Sequence, residues 1–181
     1  MVDSKKNRGA TEGVTFRIPT TILNPIKDES ETKRISLNTL ANQIFKEHLE
    51  LHSQAFHANL YYMPGPFVLR LINELSSEQI SRLAKDTATK DFADILLVLT
   101  GEVNLQSLLK VLENWARIDS SPFKHTVTNG NHVIISQHNA GIKYSLFTER
   151  MFRTFLEEVL KIKADIKVTE NTVILKIPEK W

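Results

Sequence analysis

The first patterned segment of the chain is a short alternation of apolar and polar residues at positions 14–18. This period of two predicts a β-strand with one buried face, and the proline that follows ends it. Two helices are predicted next. Thr20 or Thr21 is expected to cap the first, which runs to about Lys33, and Ser36 is expected to cap the second. The second helix carries a stripe on one face: Leu37, Leu40, Ala41, Ile44, His48 and Leu49.

A stretch at positions 53–66, which contains two prolines and a glycine, is predicted to be a linker between domains. A helical region is predicted after it. Ser76 and Gln79 have the spacing of a capping box at the start of one of its helices. The apolar segment 92–99 is interpreted as a helix, with a buried strand as the alternative. The predicted helical segments are 67–75, a segment with Ile80, Leu83 and Ala84 on one face, 92–99 and 105–118.

The last third of the chain changes from helical to mixed patterning. Two apolar segments flank Asn129-Gly130, a strong signal for a two-residue hairpin turn, and two more flank Glu170-Asn171. Between these hairpins, apolar residues at helical spacing predict a helix from Tyr144 to Ile162. Residues 123–178 are therefore predicted to form a hairpin-helix-hairpin unit, which is a small antiparallel sheet with a helix across one face.

Composition excludes several classes of protein. The chain has 181 residues, of which 41% are hydrophobic, and this is sufficient for a folded core. The absence of cysteine excludes disulfides, thiolate metal sites and cysteine nucleophiles. No apolar run has the length of a membrane span, and the polar start lacks the apolar stretch of a signal peptide. A cytoplasmic protein without a membrane partner is expected.

The charge of the chain allows DNA binding without arguing for it. The net charge is only +2, and residues 1–50 hold eight Lys or Arg against seven Asp or Glu. Basic residues nevertheless cluster ahead of the first helix, and residues 1–12 are expected to be a flexible basic arm. The cluster consists of Lys5, Lys6, Arg8 and Arg17.

A single strand of five residues has no partner in its own module, although its backbone groups need one. Two short helices also bury little surface on their own. Pairing of two chains solves both problems, because two strands then form an antiparallel ribbon and four helices form one core. The same alternation leaves Thr15 and Arg17 on the outer face of the ribbon, which fits the major groove of DNA. The expected dimer core consists of Val14, Phe16, Ile18, Leu40 and Ile44.

Three segments within residues 13–51 carry a resemblance to a known family. They are Val14-Thr15-Phe16-Arg17-Ile18-Pro19, then Ile22, Leu23 and Ile26, and finally Ile35-Ser36-Leu37-Asn38. Together they resemble the ribbon-helix-helix DNA-binding family, the fold of the Arc and MetJ repressors. In this chain Arg34 stands where the family usually has glycine, and Gly13 occupies the third base-reading position.

The resemblance implies how such a dimer would contact double-stranded DNA. Thr15 and Arg17 would face the bases, and the start of the second helix, at Ser36, Leu37 and Asn38, would hold a phosphate. A helix N-terminus is also an anion site on physical grounds alone. The basic arm, with Lys5, Lys6 and Arg8, would add contacts to the phosphate backbone.

Candidate chemistry in the rest of the chain is sparse. His125, His132 and His138 could gather near one hairpin and bind a transition metal. Because the chain has no cysteine and no fixed histidine spacing, they are better interpreted as partly exposed sheet histidines. Ser136 and His138 lack the Gly-rich elbow of a nucleophile, and no phosphate loop is present. No catalytic residue, metal or cofactor is predicted, and the protein is not expected to be an enzyme.

The C-terminal part also weakly resembles uncharacterised archaeal proteins with the same order of helices and two hairpins, and this resemblance implies no activity. Its carriers are Trp115, residues 138–145 and residues 169–173. An aromatic stripe in the same region is interpreted as core, with a ligand pocket as the alternative. The stripe consists of Tyr144, Phe147, Phe152 and Phe155.

The sequence thus predicts an α+β protein with a dimeric ribbon-helix-helix domain at residues 13–52, a linker at 53–66 and a C-terminal α+β domain at 67–181. The C-terminal domain is predicted to have helices within 67–118 and the two hairpins within 123–178. The expected function is a sequence-specific transcriptional regulator of archaeal or bacterial type, whose C-terminal domain senses a small-molecule or protein effector or adds oligomer contacts. Two alternatives stay open. One is an antitoxin that uses the same module, and the other is an assembly protein that uses the ribbon only to dimerise.

Overall fold

The computed structural model describes residues 11–55, 57–61, 63–118 and 121–180. The chain is α+β, with a four-stranded antiparallel sheet, and this part of the predicted fold class is confirmed. It divides into two compact units, residues 1–45 and residues 46–181. In this division the stretch predicted as a linker belongs to the second unit, where Ala58 is buried. The domain boundaries at 52 and 67 remain predictions.

The first unit contains an extended segment, residues 11–19, followed by helix α1 (Thr20–Thr32) and most of helix α2 (Leu37–Glu47). No side chain caps α1, so the predicted threonine cap is wrong. Pro19, with ψ 140°, directly precedes the helix, and its carbonyl accepts the N–H groups of Ile22 and Leu23, both at 2.9 Å. Thr20 is therefore already the first helical residue, one position too late for a capping side chain.

The turn between α1 and α2 is closed by the two hydrogen bonds of a Schellman motif. The Arg34 N–H donates to the Glu31 carbonyl, and the Ile35 N–H donates to the Ser30 carbonyl, both at 3.0 Å. Arg34 has φ +53°, in the left-handed region that favours glycine. The motif thus forms with arginine at the position where glycine would be least strained.

The second unit begins with helical segments. They are a π-helical segment (His48–His52), a single turn α3 (Ser53–Ala55), α4 (Gly65–Glu74), α5 (Ser77–Asp86), a π-helical segment (Thr87–Asp91), α6 (Phe92–Thr100) and α7 (Leu105–Ile118). The segment after Asp91 is therefore a helix rather than a strand, and it ends at Gly101, whose φ of +79° only glycine adopts readily. The predicted capping box is confirmed. Ser76 Oγ accepts the Gln79 N–H at 3.2 Å, and Gln79 Oε1 accepts the Ser76 N–H at 2.7 Å.

The sheet of the second unit is made by two hairpins, as predicted. Its strands are β1 (Phe123–Thr128), β2 (Asn131–Gln137), β3 (Asp165–Val168) and β4 (Thr172–Pro178), in the spatial order β1-β2-β4-β3 with every neighbouring pair antiparallel. Asn129 and Gly130 have φ +52° and +67°, as a two-residue turn of this type requires. Helix α8 (Gly141–Thr154) connects the hairpins and continues as a π-helical segment (Phe155–Val159).

The core of the second unit lies between the sheet and the helices. Phe92 of α6 packs edge-on against Phe155, with 4.9 Å between ring centroids, and both rings are fully buried. Ile134 of β2 pairs with Leu175 of β4, and both side chains are buried. Among the described residues, no single helix is long and apolar enough to cross a membrane. One bent pair of helical segments has the length and composition of a membrane span when the two are taken together. The pair is Ser77–Thr100 and Leu105–Arg117, with a bend of 84° between them.

Candidate functional site

The first unit leaves most of its expected dimer core uncovered in the single chain. The exposed fractions are 67% for Val14, 60% for Phe16, 41% for Ile18 and 42% for Ile44. Leu40, at 2%, is the one expected core residue that is already buried. We refer to Val14, Phe16, Ile18 and Ile44 as the apolar face. Such a cluster of exposed large apolar side chains in a small unit indicates a contact surface.

An apolar groove continues from this face. Phe16 lies against Phe45 of α2, with 5.9 Å between the ring centroids. Beside this pair, α1 and α2 enclose a groove of about 510 Å³. Its lining is Ile18, Leu23, Ile26, Leu37, Asn38, Ala41, Ile44 and Phe45. The groove and the apolar face together form one surface, with a single amide side chain among its lining residues.

The two expected base-facing residues, Thr15 and Arg17, are both exposed. Neither side chain makes a hydrogen bond or ion pair with any residue that the structure describes. Residues 11–19 form neither helix nor strand in the single chain. A strand needs a second backbone to complete its hydrogen bonds, so the predicted ribbon is not visible in one chain.

The start of α2 is capped as predicted. Ser36 Oγ accepts the Thr39 N–H at 3.0 Å, and the Ser36 carbonyl accepts the Leu40 N–H at 3.0 Å. The N–H groups of Leu37 and Asn38 have no acceptor within the described residues. The first turn of α2 also contains no acidic residue. Lys5, Lys6 and Arg8 lie outside the described residues.

Two histidines of the second unit are hydrogen-bonded to each other. His125 Nε2 lies 3.0 Å from His132 Nδ1, and His125 Nδ1 lies 2.8 Å from Glu113 Oε1. With both imidazoles neutral, His125 donates to the carboxylate and accepts from His132, which satisfies these nitrogens internally. Within the described part of the chain, no group of three or more potential ligands is arranged to hold a metal. His132 is buried, not partly exposed as predicted, because it lies with Ile134 on the buried face of β2.

His138 is held in a separate network. Its Nδ1 accepts the Ala140 N–H at 3.1 Å, so its Nε2 carries the proton and donates to Ser145 Oγ at 2.9 Å. Ser145 is fully buried and donates in turn to the Glu170 carbonyl at 3.2 Å. Burial lowers the pKa of His138, which keeps the imidazole neutral. Because His138 donates to the serine, it cannot act as a base toward it, and the pair is structural.

This network joins the two segments that carried the weaker resemblance. The His138 N–H donates to the Asn171 carbonyl at 3.0 Å, and Asn171 Oδ1 accepts the Gly141 N–H at 3.1 Å. Residues 138–145 and 169–173 therefore meet where the first hairpin, α8 and the second hairpin converge. The distinctive residues in these segments are explained by the hydrogen bonds that hold this junction together.

The aromatic stripe of α8 has a divided role. Phe155 and Phe152 are buried in the core, which agrees with the interpretation of the stripe as core. Tyr144, Phe147 and Phe152 also line a cavity of about 300 Å³ between the sheet and the helices. Three of the four residues of the stripe therefore also line a cavity.

No protein-family model matches the chain, and no curated protein matches it in sequence. Membership of the ribbon-helix-helix family therefore remains a proposal. It depends on the residues of the first unit and on the physical argument developed from them.

Proposed function

We propose that the protein is a homodimeric, sequence-specific DNA-binding regulator of the ribbon-helix-helix type. The observation that carries the proposal is the exposed apolar face of the first unit. Complete burial of one large apolar side chain is worth about 1.5–3 kcal/mol, so a partner that covers several of them is strongly favoured. A second copy of the chain is a suitable partner, since a two-fold axis places the same face on both sides of the interface.

Dimerisation would also complete the backbone of residues 14–18. Two such segments running antiparallel supply each other with the hydrogen bonds that each lacks alone. Phe16 and its apolar neighbours then face the four-helix core, and Thr15 and Arg17 face outward. A two-stranded ribbon fits the major groove, and arginine pairs well with the O6 and N7 atoms of guanine. The absence of a described intramolecular partner leaves Arg17 available for this contact.

The N-terminus of α2 would position the dimer on the phosphate backbone. The N–H groups of Leu37 and Asn38 lie at the positive end of the helix dipole, and no acidic side chain in the first turn opposes an anion there. The basic arm, with Lys5, Lys6 and Arg8, would add contacts that depend on salt concentration. These contacts set position and affinity, and the ribbon sets specificity.

The second unit has its own extensive core, so we assign it a role separate from DNA contact, as the effector-sensing or oligomer-forming part of the regulator. The experiment that tests the proposal begins with genome-wide mapping of sites bound by the tagged protein. The mapped duplex and a scrambled duplex are then titrated with the purified full chain at several salt concentrations.

The mapped duplex should bind about 10³-fold or more tightly than the scrambled one, and both affinities should fall with salt. Removal of residues 1–9 should make the salt dependence shallower. Equal affinity for the two duplexes would contradict sequence-specific regulation, and complete absence of DNA binding would favour the assembly protein. A toxin reading frame beside the gene would favour the antitoxin.

A further inference from the structure

The second unit contains a cavity of about 300 Å³ between β2, β4, α7 and α8. Its walls are mainly apolar and include the aromatic side chains of Phe92 of α6, Trp115 of α7, and Phe147 and Phe152 of α8. This volume is at the lower end of the roughly 300–1,000 Å³ that is usual for small-molecule sites. We propose that the cavity binds a small, uncharged, mainly apolar ring compound with one hydroxyl or carbonyl group.

The charge of the ligand follows from the lining. Among the described residues, none of those that line the cavity is an aspartate, glutamate, lysine or arginine. The one ionisable base, His138, is kept neutral, because burial lowers its pKa and both ring nitrogens are already hydrogen-bonded to the protein. A charged ligand would lose its hydration without gaining an opposite charge, and this penalty is large in an apolar site. The cavity therefore selects against ions of either sign.

The polar group of the ligand follows from two hydroxyls. Ser136 of β2 and Thr148 of α8 both line the cavity and are only half-buried. Neither hydroxyl makes a hydrogen bond to any residue that the structure describes. Hydroxyls both donate and accept, so they suit a ligand hydroxyl or carbonyl. A few polar groups in an otherwise apolar wall are typical of sites that fix the orientation of a ligand.

The route into the cavity is indicated by an adjoining groove. A wider groove of about 990 Å³ adjoins it, lined in part by Tyr61, Met63 and Val68. Four residues line both spaces: Ser121, Gln137, His138 and Tyr144. The rings of His138 and Tyr144 are 4.8 Å apart, so these side chains mark the neck between the outer groove and the inner cavity. A ligand would enter from the groove past Tyr144.

This inference deepens the proposed function, because it gives the effector-sensing unit a class of ligand. Only the regulatory consequence rests on DNA binding. Occupancy of the cavity is a property of the second unit and can be measured without DNA. The two ideas can therefore fail separately.

The test is isothermal titration calorimetry of the full chain with two probes that share one ring system, of which one is neutral and the other is charged. The neutral probe is 2-naphthol, and the charged probe is 2-naphthoate. We expect 2-naphthol to bind at one site per chain and 2-naphthoate to bind at least about tenfold more weakly, because burial of an unpaired carboxylate costs more than the 1.4 kcal/mol that corresponds to tenfold. Absence of 2-naphthol binding, or equal binding of the two, would overturn the proposal.

Variants locate the bound probe. Ala116 lines the cavity, so Ala116→Leu should fill part of it and weaken 2-naphthol binding about tenfold or more while the chain stays folded. Thr148→Leu is a second filling variant and also removes a hydroxyl. The matched control is Ala55→Leu, because Ala55 is half-buried and lines neither space. Unchanged binding in either folded cavity variant, or an equal loss in the control, would place the probe elsewhere and overturn the proposal.

A DNA titration with and without 2-naphthol then separates the two ideas. Binding of 2-naphthol without any DNA binding would support the ligand-binding cavity and refute the proposed regulator. DNA binding without 2-naphthol binding would support the regulator and refute the ligand-binding cavity.

Discussion

Phe16→Ala should dissociate the dimer without unfolding the second unit. The ring of Phe16 is 60% exposed in the single chain, so dimerisation can remove about three fifths of its surface from water. Full burial of such a ring is worth about 1.5–3 kcal/mol, which gives roughly 1–2 kcal/mol per chain and about 2–4 kcal/mol for the two rings of a symmetric dimer. At 1.4 kcal/mol per factor of ten, the dimer dissociation constant should rise by about 30- to 700-fold.

The assay is sedimentation equilibrium of the full chain over a range of concentrations. Thr15→Ala is the matched control, because Thr15 is the neighbouring residue on the opposite face and should leave dissociation unchanged. Circular dichroism should show that both variants keep the helices of the second unit. A parent chain that stays monomeric at high concentration would refute the dimer. A Phe16→Ala variant that dimerises as the parent does would show that the apolar face is not the interface.

Three further predictions follow from local geometry. Asn38→Asp should weaken binding to mapped and scrambled duplexes alike, because a carboxylate in the first turn of α2 would repel the phosphate that the proposal places at its N–H groups; a duplex titration measures it. Arg34→Gly should stabilise the first unit by about 0.5–1 kcal/mol in urea denaturation, because relief of the left-handed strain exceeds the entropy cost of glycine. His138→Gln should flatten the loss of thermal stability that the parent shows as the pH falls below about 6.5. The folded pKa of His138 is lowered by burial, so the unfolded chain binds more protons there and acid favours unfolding.

Each of these has an outcome that contradicts it. A loss confined to the mapped duplex in Asn38→Asp would place that residue at the bases. Equal stabilisation by Arg34→Ala, which keeps a Cβ, would show that charge and not backbone conformation is responsible. For His138→Gln, a pH profile parallel to that of the parent between pH 7 and pH 5 would show that the buried imidazole does not titrate in that range.

Elements fixed by local chemistry could be predicted closely from the sequence. The capping box at Ser76, the hairpin turn at Asn129 and the cap at Ser36 each need only neighbouring residues, and all three are present. The apolar segment at Phe92 was ambiguous between helix and strand, because apolar residues also occupy its exposed face: Phe92 and Leu96 are buried, whereas Leu97 and Val98 are exposed.

Features that depend on distant residues could not be predicted in the same way. The hydrogen-bond partner of the His138 ring is Ser145 rather than the nearby Ser136. Helix α8 begins at Gly141, between His138 and Ser145, and turns the chain back toward the second hairpin. The cavity depends on how α7, α8 and the sheet pack, which no local pattern encodes. The proposed ribbon would require a second chain, so neither the sequence pattern nor one copy could display its hydrogen bonds.

The most direct test of the central claim is a binding titration that compares Arg17→Ala with the parent on a mapped duplex and a scrambled duplex. Arg70→Ala, the same change at an exposed position of α4, is the matched control. The account predicts that Arg17→Ala keeps the parent's melting temperature and loses about 1–3 kcal/mol of specific binding free energy. This variant should also discriminate less between bases at one base pair in each half-site, and Arg70→Ala should bind as the parent does. If Arg17→Ala binds both duplexes as tightly as the parent, the ribbon is not the reading surface and the claim is contradicted.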